Sequence, residues 1–361
     1  MPGILQVVTD TDRRGAQVFA TDLHAALERQ GRAVRTVALA PGHVGGLDLP
    51  VLGPSRRSAA TLRALRREIT SADVVVGHGS TTLPLGAIAS LGTRSPFVYR
   101  QISDSLFWAP DGLRRLRVRA AMRRCSALVA LWSGSAATVH DHFGVPRERI
   151  RVIPNGVPAA SHTPVPLAER PAARRVFGFG LDPDRPTLLS IGALVPEKGV
   201  DLVVDALVAL PDAQLLVVGD GPERDALVAR ARTVADGRVV FAGSIPDAGP
   251  AYAAADVVVL ASRGGDSMPA VLIEAGMRAL PAVSTRVEAI PEIVLDGVTG
   301  SLVAIDAPGA LASAIRDLLD SPSTAAAFGA AARAHCLERY DIDVVAAQWA
   351  AVLDAVTPPA S

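Results

Sequence analysis

Residues 262–284, SRGGDSMPAVLIEAGMRALPAVS, hold two carboxylates, a glycine pair and two prolines within a short span. Asp266 precedes Pro269 by three positions, and Glu274 falls five positions after it. A glycine-rich loop that runs into a helix offers free N–H groups at the positive end of the helix dipole, which suits an anion such as phosphate. A carboxylate beside that anion would be repelled by it. Asp266 and Glu274 are therefore suited to a neutral, hydroxyl-rich group, a ribose or a sugar ring. A third chemical group stands apart by its rarity. Of 36 basic residues, 35 are arginine and one, Lys198, is lysine. A position that keeps a compact, mobile ammonium while the rest of the chain uses planar guanidinium groups is a candidate for work that a planar fork does not do.

These residues need elements to hold them. Val257–Ala261 is a β-branched run, so the glycine loop opens at the carboxyl end of a strand. Pro269 fits the first helical turn, where its missing N–H costs nothing. The Ala-Val-Leu-Ile that follows is apolar on every side and predicts a covered helix. Three more strands, Thr187–Ile191, Ala213–Val218 and Arg238–Phe241, each lead into a loop: Gly192–Asp201 with Lys198, Gly219-Asp220-Gly221-Pro222, and Gly243-Ser244-Ile245-Pro246. The first half repeats the plan. Strands are expected at Ile4–Val8, Val34–Leu39, Asp73–Gly77, Ser95–Tyr99, Ser126–Leu131 and Arg149–Pro154, with a helix over Ala16–Gln30. The absence of Gly-x-Gly-x-x-Gly argues against an ordinary dinucleotide fold. A proline-rich crossing follows Asn155-Gly156. Helices near Ala310–Leu319, Thr324–Arg339 and Val344–Ala355 close the chain.

With 361 residues, 49% of them hydrophobic, the chain is long enough for two domains with their own cores. No apolar run approaches the roughly 18 residues that span a membrane, and no secretory signal opens the chain, which predicts a cytoplasmic protein. Cys125 and Cys336 are too few and too unpatterned for a disulfide framework or a zinc site, and buried thiols are expected. Net charge is zero but divided. Residues 1–154 carry 21 basic and 11 acidic side chains, and residues 155–361 carry 15 and 25. Much of the basic excess lies in Arg114–Arg124, where six arginines alternate with Leu113, Leu116, Val118 and Met122. This reads as a basic amphipathic helix suited to peripheral contact with an anionic membrane or a lipid-linked acceptor. Nucleic acid is not expected, because no aromatic stacking set or binding motif accompanies the charge. Asp10-Thr11-Asp12 reads as a polar loop, and no metal is expected.

Asp266 and Glu274, seven residues apart with Pro269 between and Ala275-Gly276 after, resemble the Glu-x7-Glu signature of glycosyltransferase family 4, with Asp for the first Glu. Lys198-Gly199 resembles the family's Gly-Arg-Leu-x-x-x-Lys-Gly segment, although Ala193 stands where the family has arginine. Gly219-x-Gly221-Pro222 matches its Gly-x-Gly-Pro turn. The resemblance implies an α/β protein of GT-B architecture, two Rossmann-like doubly wound domains facing a central cleft. Residues 1–165 would form the acceptor domain, with a final helix over about 341–357 packed back on it, and residues 170–340 the donor domain. It also implies retaining transfer of a sugar from an NDP-sugar to a hydroxyl acceptor, without cofactor or metal. Lys198 and helix-end amides near Ala270 and Val271 would neutralise the leaving diphosphate. Asp266 with the amides of Ser267 and Met268 would orient the sugar hydroxyls, and Glu274 would hold the ribose. Gly219, Gly221 and the backbone at Ser244 and Ile245 would approach the nucleotide. Gly15 keeps one glycine of the family's first loop, and Arg14 replaces the other and is expected to meet an anionic acceptor or donor phosphate. Arg100 stands near where family members place a histidine against the donor sugar, and His78 is a second candidate there. Arg100 and Arg263 are candidates to replace the arginine missing at Ala193. Two rival readings are an NDP-sugar epimerase of the same fold and a non-catalytic sugar-nucleotide-binding protein.

Overall fold

The computed structural model describes residues 3–43, 46–176 and 179–358. The chain folds as two units. The first comprises the chain up to Pro158 together with the chain from Tyr340 on, and the second is Ala159–Arg339. The proline-rich stretch after 158 thus packs with the second unit, where Arg278 donates to the Ser161 carbonyl and Arg333 to that of His162.

The first unit is built on six parallel strands: β1 (Ile4–Val8), β2 (Val34–Ala38), β3 (Val74–His78), β4 (Phe97–Arg100), β5 (Ala127–Ala130) and β6 (Ile150–Val152). Their order is β2-β1-β3-β4-β5-β6. β1 and β3 are buried along their whole length, as all-parallel sheets covered on both faces require. The crossovers include α1 (Gly15–Arg29), α2 (Ala59–Thr70), α3 (Thr82–Ala89), α4 (Ser105–Trp108) and α5 (Gly112–Arg124). The C-terminal helix Ile342–Val356 lies against α1, with surface ion pairs Arg29–Asp343 at 2.5 Å and Arg32–Asp354 at 2.6 Å. Its holding force is apolar. Trp349, Val345 and Leu353 join Phe19, Leu23 and Leu27 of α1 in one core, and each such side chain fully buried is worth about 1.5–3 kcal/mol.

The second unit holds β7 (Thr187–Ile191), β8 (Gln214–Val218), β9 (Val239–Gly243), β10 (Val257–Leu260), β11 (Ala282–Thr285) and β12 (Gly300–Val303). Their order is β12-β11-β10-β7-β8-β9, again parallel throughout. The order reverses between β7 and β10, and between β1 and β3 in the first unit. Open α/β sheets receive ligands at the carboxyl ends of the strands beside such a reversal.

α5 departs from the amphipathic reading. Only Met122 is buried, and Leu113 and Leu116 are 71% and 61% exposed among the arginines. The helix meets the apolar core through Val118, Ala121 and Met122, and its leucines are left on the outer side.

Candidate active site

In the second unit the loops after β7 and β10 leave the sheet at its reversal point, and they bring Lys198 and Asp266 together. The Lys198 ammonium is ion-paired with Asp266, whose other oxygen accepts from the Ser262 hydroxyl. Asp266 is 5% exposed, so its charge is compensated by the lysine and the hydroxyl. An ammonium has more N–H groups than one carboxylate oxygen can take, so the half-buried lysine keeps donors for a phosphate.

The loop that carries Lys198 is held from below by Arg263. Its guanidinium grips both oxygens of Asp201 at 2.8 Å, Asp306 at 2.7 Å and the Pro196 carbonyl at 2.9 Å, while its backbone N–H donates to Glu197. These partners raise its pKa further. Arg263 is therefore not a spare cation for a diphosphate. Expecting it to replace the missing arginine at Ala193 is corrected: it is a strut between the loops after β7 and β10. The glycine loop has its own strut. The Gly265 N–H donates to Glu288 at 2.9 Å, and Glu288 adopts a left-handed backbone (φ 43°), a strained conformation for a residue with a Cβ.

Pro269 is the N-cap and not a residue of the first turn, and the helix runs over Ala270–Met277. Ser267 and Met268 are buried ahead of it, and Ala270 and Val271 are half-buried at its start. Glu274 is half-buried on this helix, and one of its oxygens accepts from the Tyr252 hydroxyl at 2.9 Å. Tyr252 is 1% exposed. Burial, then the Glu274 charge, raise its pKa well above the usual value, so the phenol stays a donor. Arg278 stacks on its ring at 4.7 Å. Tyr252 thus fixes the carboxylate's direction. No sequence motif marked it, because it lies 22 positions upstream on another helix.

Gly219 and Gly221 also serve the packing of the loops themselves. A Cβ on Gly219 (φ 133°) would strike the Gly192 carbonyl, and one on Gly221 the Leu194 carbonyl. The missing side chains let the loops after β7 and β8 close on each other, stitched by Leu194 N–H to Asp220 O at 3.0 Å. Ser244 is exposed and Ile245 half-buried in the loop after β9.

In the first unit, Gly15 starts α1 and Arg14 is its N-cap. Arg14 is exposed but pairs with Asp12 at 2.8 Å. Asp10 accepts from Gln17 at 2.8 Å, so the Asp-x-Asp loop is tied up by its own neighbours. His78 and Arg100 end adjacent strands, in register. Both are only 1% exposed, covered by Phe19 and Trp349. The His78 Nε2 meets Gln6 at 2.9 Å, and burial, helped by the Arg100 charge, holds its pKa well below 6.5. The Arg100 guanidinium lies 3.7 Å over the Phe19 ring and donates to Asn155. Its Nε and Nη1 have no partner among the described residues, and burial pulls its pKa down to about 9. Neither side chain reaches solvent, so neither is placed to touch a substrate in this structure.

The two parallel sheets, each with its loops at the carboxyl edge, give the GT-B architecture. Residues 13–161 match Glycosyltransferase Family 4, and residues 185–321 match Glycosyl transferases group 1. The chain is 34% identical over 285 residues, 73% of each chain, to the GDP-mannose-dependent alpha-(1-6)-phosphatidylinositol monomannoside mannosyltransferase of Mycolicibacterium smegmatis. It is 33% identical to the phosphatidyl-myo-inositol mannosyltransferase of the same organism over 57% of this chain, spanning about half (52%) of that one. Among solved structures, Anabaena Alr3699/HepE in complex with UDP superposes with a TM-score of 0.85 at 22% identity, covering 98% of this chain and 100% of that one. The chain belongs to the family 4 glycosyltransferases.

Proposed function

We propose that the enzyme transfers a hexose from a nucleoside diphosphate sugar to a hydroxyl acceptor with retention of configuration, and needs neither metal nor cofactor. The observation that carries this reading is the Lys198–Asp266 pair at the β7/β10 reversal, with Glu274 oriented by Tyr252 on the helix that follows. Lys198 and the N–H groups at the start of the helix Ala270–Met277 receive the diphosphate, which gains charge as the sugar–phosphate bond breaks. Asp266 accepts from sugar hydroxyls and Glu274 from the ribose. The acceptor oxygen bonds to the anomeric carbon on the face that the phosphate leaves, and its proton goes to the departing phosphate oxygen. Mannose from GDP-mannose is the proposed donor, on the strength of the named relatives. No described helix is long and apolar enough to cross a membrane, and both cysteines are free and buried, which supports work in the cytoplasm.

The test is turnover of GDP-mannose and UDP-glucose with a hydroxyl acceptor, with and without EDTA, and the product anomer read by NMR. An α-linked product and full activity in EDTA are expected. An inverted product, a strict Mg²⁺ or Mn²⁺ requirement, or conversion of donor without any acceptor would overturn the reading. The last outcome would favour an epimerase.

A further inference from the structure

The donor loops hold one ammonium for two anions. Lys198 is the only lysine of the chain, and Ala193 leaves no guanidinium beside it. Arg263 is committed to Asp201 and Asp306. The Lys198 ammonium is already paired with Asp266, so an arriving diphosphate must share it. Asp266 is 5% exposed, and its other partner, the Ser262 hydroxyl, is neutral. The carboxylate is also held in place. The residue before it, Gly265, is tied through its N–H to Glu288 at 2.9 Å, and Arg263 is gripped by Asp201 and Asp306. Three non-glycine residues among those described have a left-handed backbone, and two of them are Glu288 (φ 43°) and Asp306 (φ 52°). These two reach the Asp266 loop from the loops after β11 and β12. Such conformations persist only where the surroundings over-determine them, so the aim of Asp266 is fixed.

A buried carboxylate that cannot turn away acts on any phosphate that comes to Lys198. In the sugar donor the terminal phosphate is esterified, and the sugar brings hydroxyls that donate to Asp266. Transfer breaks the sugar–phosphate bond. The proton taken from the acceptor passes from the phosphate to solvent, so the product carries about one more negative charge than the donor at neutral pH. It offers Asp266 no hydroxyl. The same carboxylate is thus hydrogen-bonded in the donor complex and repelled in the product complex. We propose that Asp266 discriminates the nucleoside diphosphate sugar from the bare nucleoside diphosphate, opposing the product and speeding its departure after each transfer. This rests on the function proposed above, which places the diphosphate on Lys198 and the sugar on Asp266.

Isothermal titration of the full chain with GDP-mannose, GDP and the β-methyl ester of GDP tests the idea. The methyl ester has the charge of the donor without its sugar. In the wild-type protein GDP-mannose should bind tightest, the methyl ester next, and GDP at least roughly threefold weaker than the methyl ester. Asp266→Asn keeps the shape of the side chain and removes its charge. It should tighten GDP by roughly tenfold, erase the preference for the methyl ester and slow transfer. Wild-type protein that binds GDP as tightly as the methyl ester would overturn the proposal, as would a folded Asp266→Asn variant that binds GDP no better. The wild-type comparison decides the matter even if the variant fails to fold. The expected order of affinities without transfer to any hydroxyl acceptor would keep the discrimination and sink the transferase reading. No binding of GDP or UDP compounds at all would sink both.

Discussion

The two units treat positive charge in opposite ways. In the second, the cations of the loops after β7 and β10 are matched. Lys198 pairs with Asp266, Arg263 with Asp201 and Asp306, and deeper in the unit Arg170 and Arg174 share Asp256. In the first, Arg100 is buried with an aromatic ring and an amide for company, and Arg56, Arg57, Arg114 and Arg117 stand exposed with no ion pair or hydrogen bond among the described residues. The charge division in the sequence is the source of this contrast. An acidic half can neutralise its own cations and hold a preformed site, whereas a basic half leaves positive charge unmatched.

The sharpest way to break this comparison is stability. Arg174→Met leaves Asp256 with less compensation in a nearly dry site and should cost about 3 kcal/mol. Arg100→Met removes a buried charge that has no carboxylate and should stay within about 1 kcal/mol. Urea denaturation of both variants decides it, and equal losses would show that the contrast has no energetic content. Next, Lys198→Ala removes the charged donor proposed to meet the diphosphate. Charge-assisted hydrogen bonds of about 1.5–3 kcal/mol predict a drop in turnover of roughly ten- to a hundredfold, and near-normal turnover would remove Lys198 from the mechanism.

A pH experiment sharpens the contrast within the first unit. His78 is held neutral in the fold, with its pKa depressed below the ordinary 6.5, so below that pH the unfolded chain binds a proton that the native state refuses. Stability should therefore rise with pH through this range and be lost as pH falls below about 6.5, by up to about 1.4 kcal/mol per pH unit. His78→Gln should flatten the profile on the acid side, and an unchanged slope would assign the effect to other groups. The smallest effect belongs to Tyr252→Phe. It removes one hydrogen bond to Glu274, worth about 1 kcal/mol, and should raise the donor KM about fivefold with kcat nearly unchanged. A fall in kcat at unchanged KM would mean that Glu274 does not serve the ground-state nucleotide.

Strand runs such as Thr187–Ile191 could be placed to the residue, because a strand buried on both faces writes a continuous apolar run. Lys198, Asp266 and Glu274 could be singled out by rarity and spacing. Their partners could not. Tyr252 and Glu288 reach the site from other elements, and nothing local to them records that; Ser262 and Arg263 lie in the Asp266 loop itself, but what they grip comes only from the fold. The glycines recorded only part of their role. A missing Cβ marks a close approach but not what approaches, and at Gly219 and Gly221 the protein's own backbone is one such neighbour. The α5 leucines misled because helical periodicity identifies an apolar side but not whether a neighbour covers it.

The sequence alone determined two parallel α/β units, the family, and the residues of the donor loops that carry chemistry, since strand patterning and loop motifs are local properties. Only the tertiary structure decided which cations are spent and which are free. Arg263 and Arg114 are the same side chain, and what distinguishes a strut from a free charge is whether folding brings a carboxylate within reach.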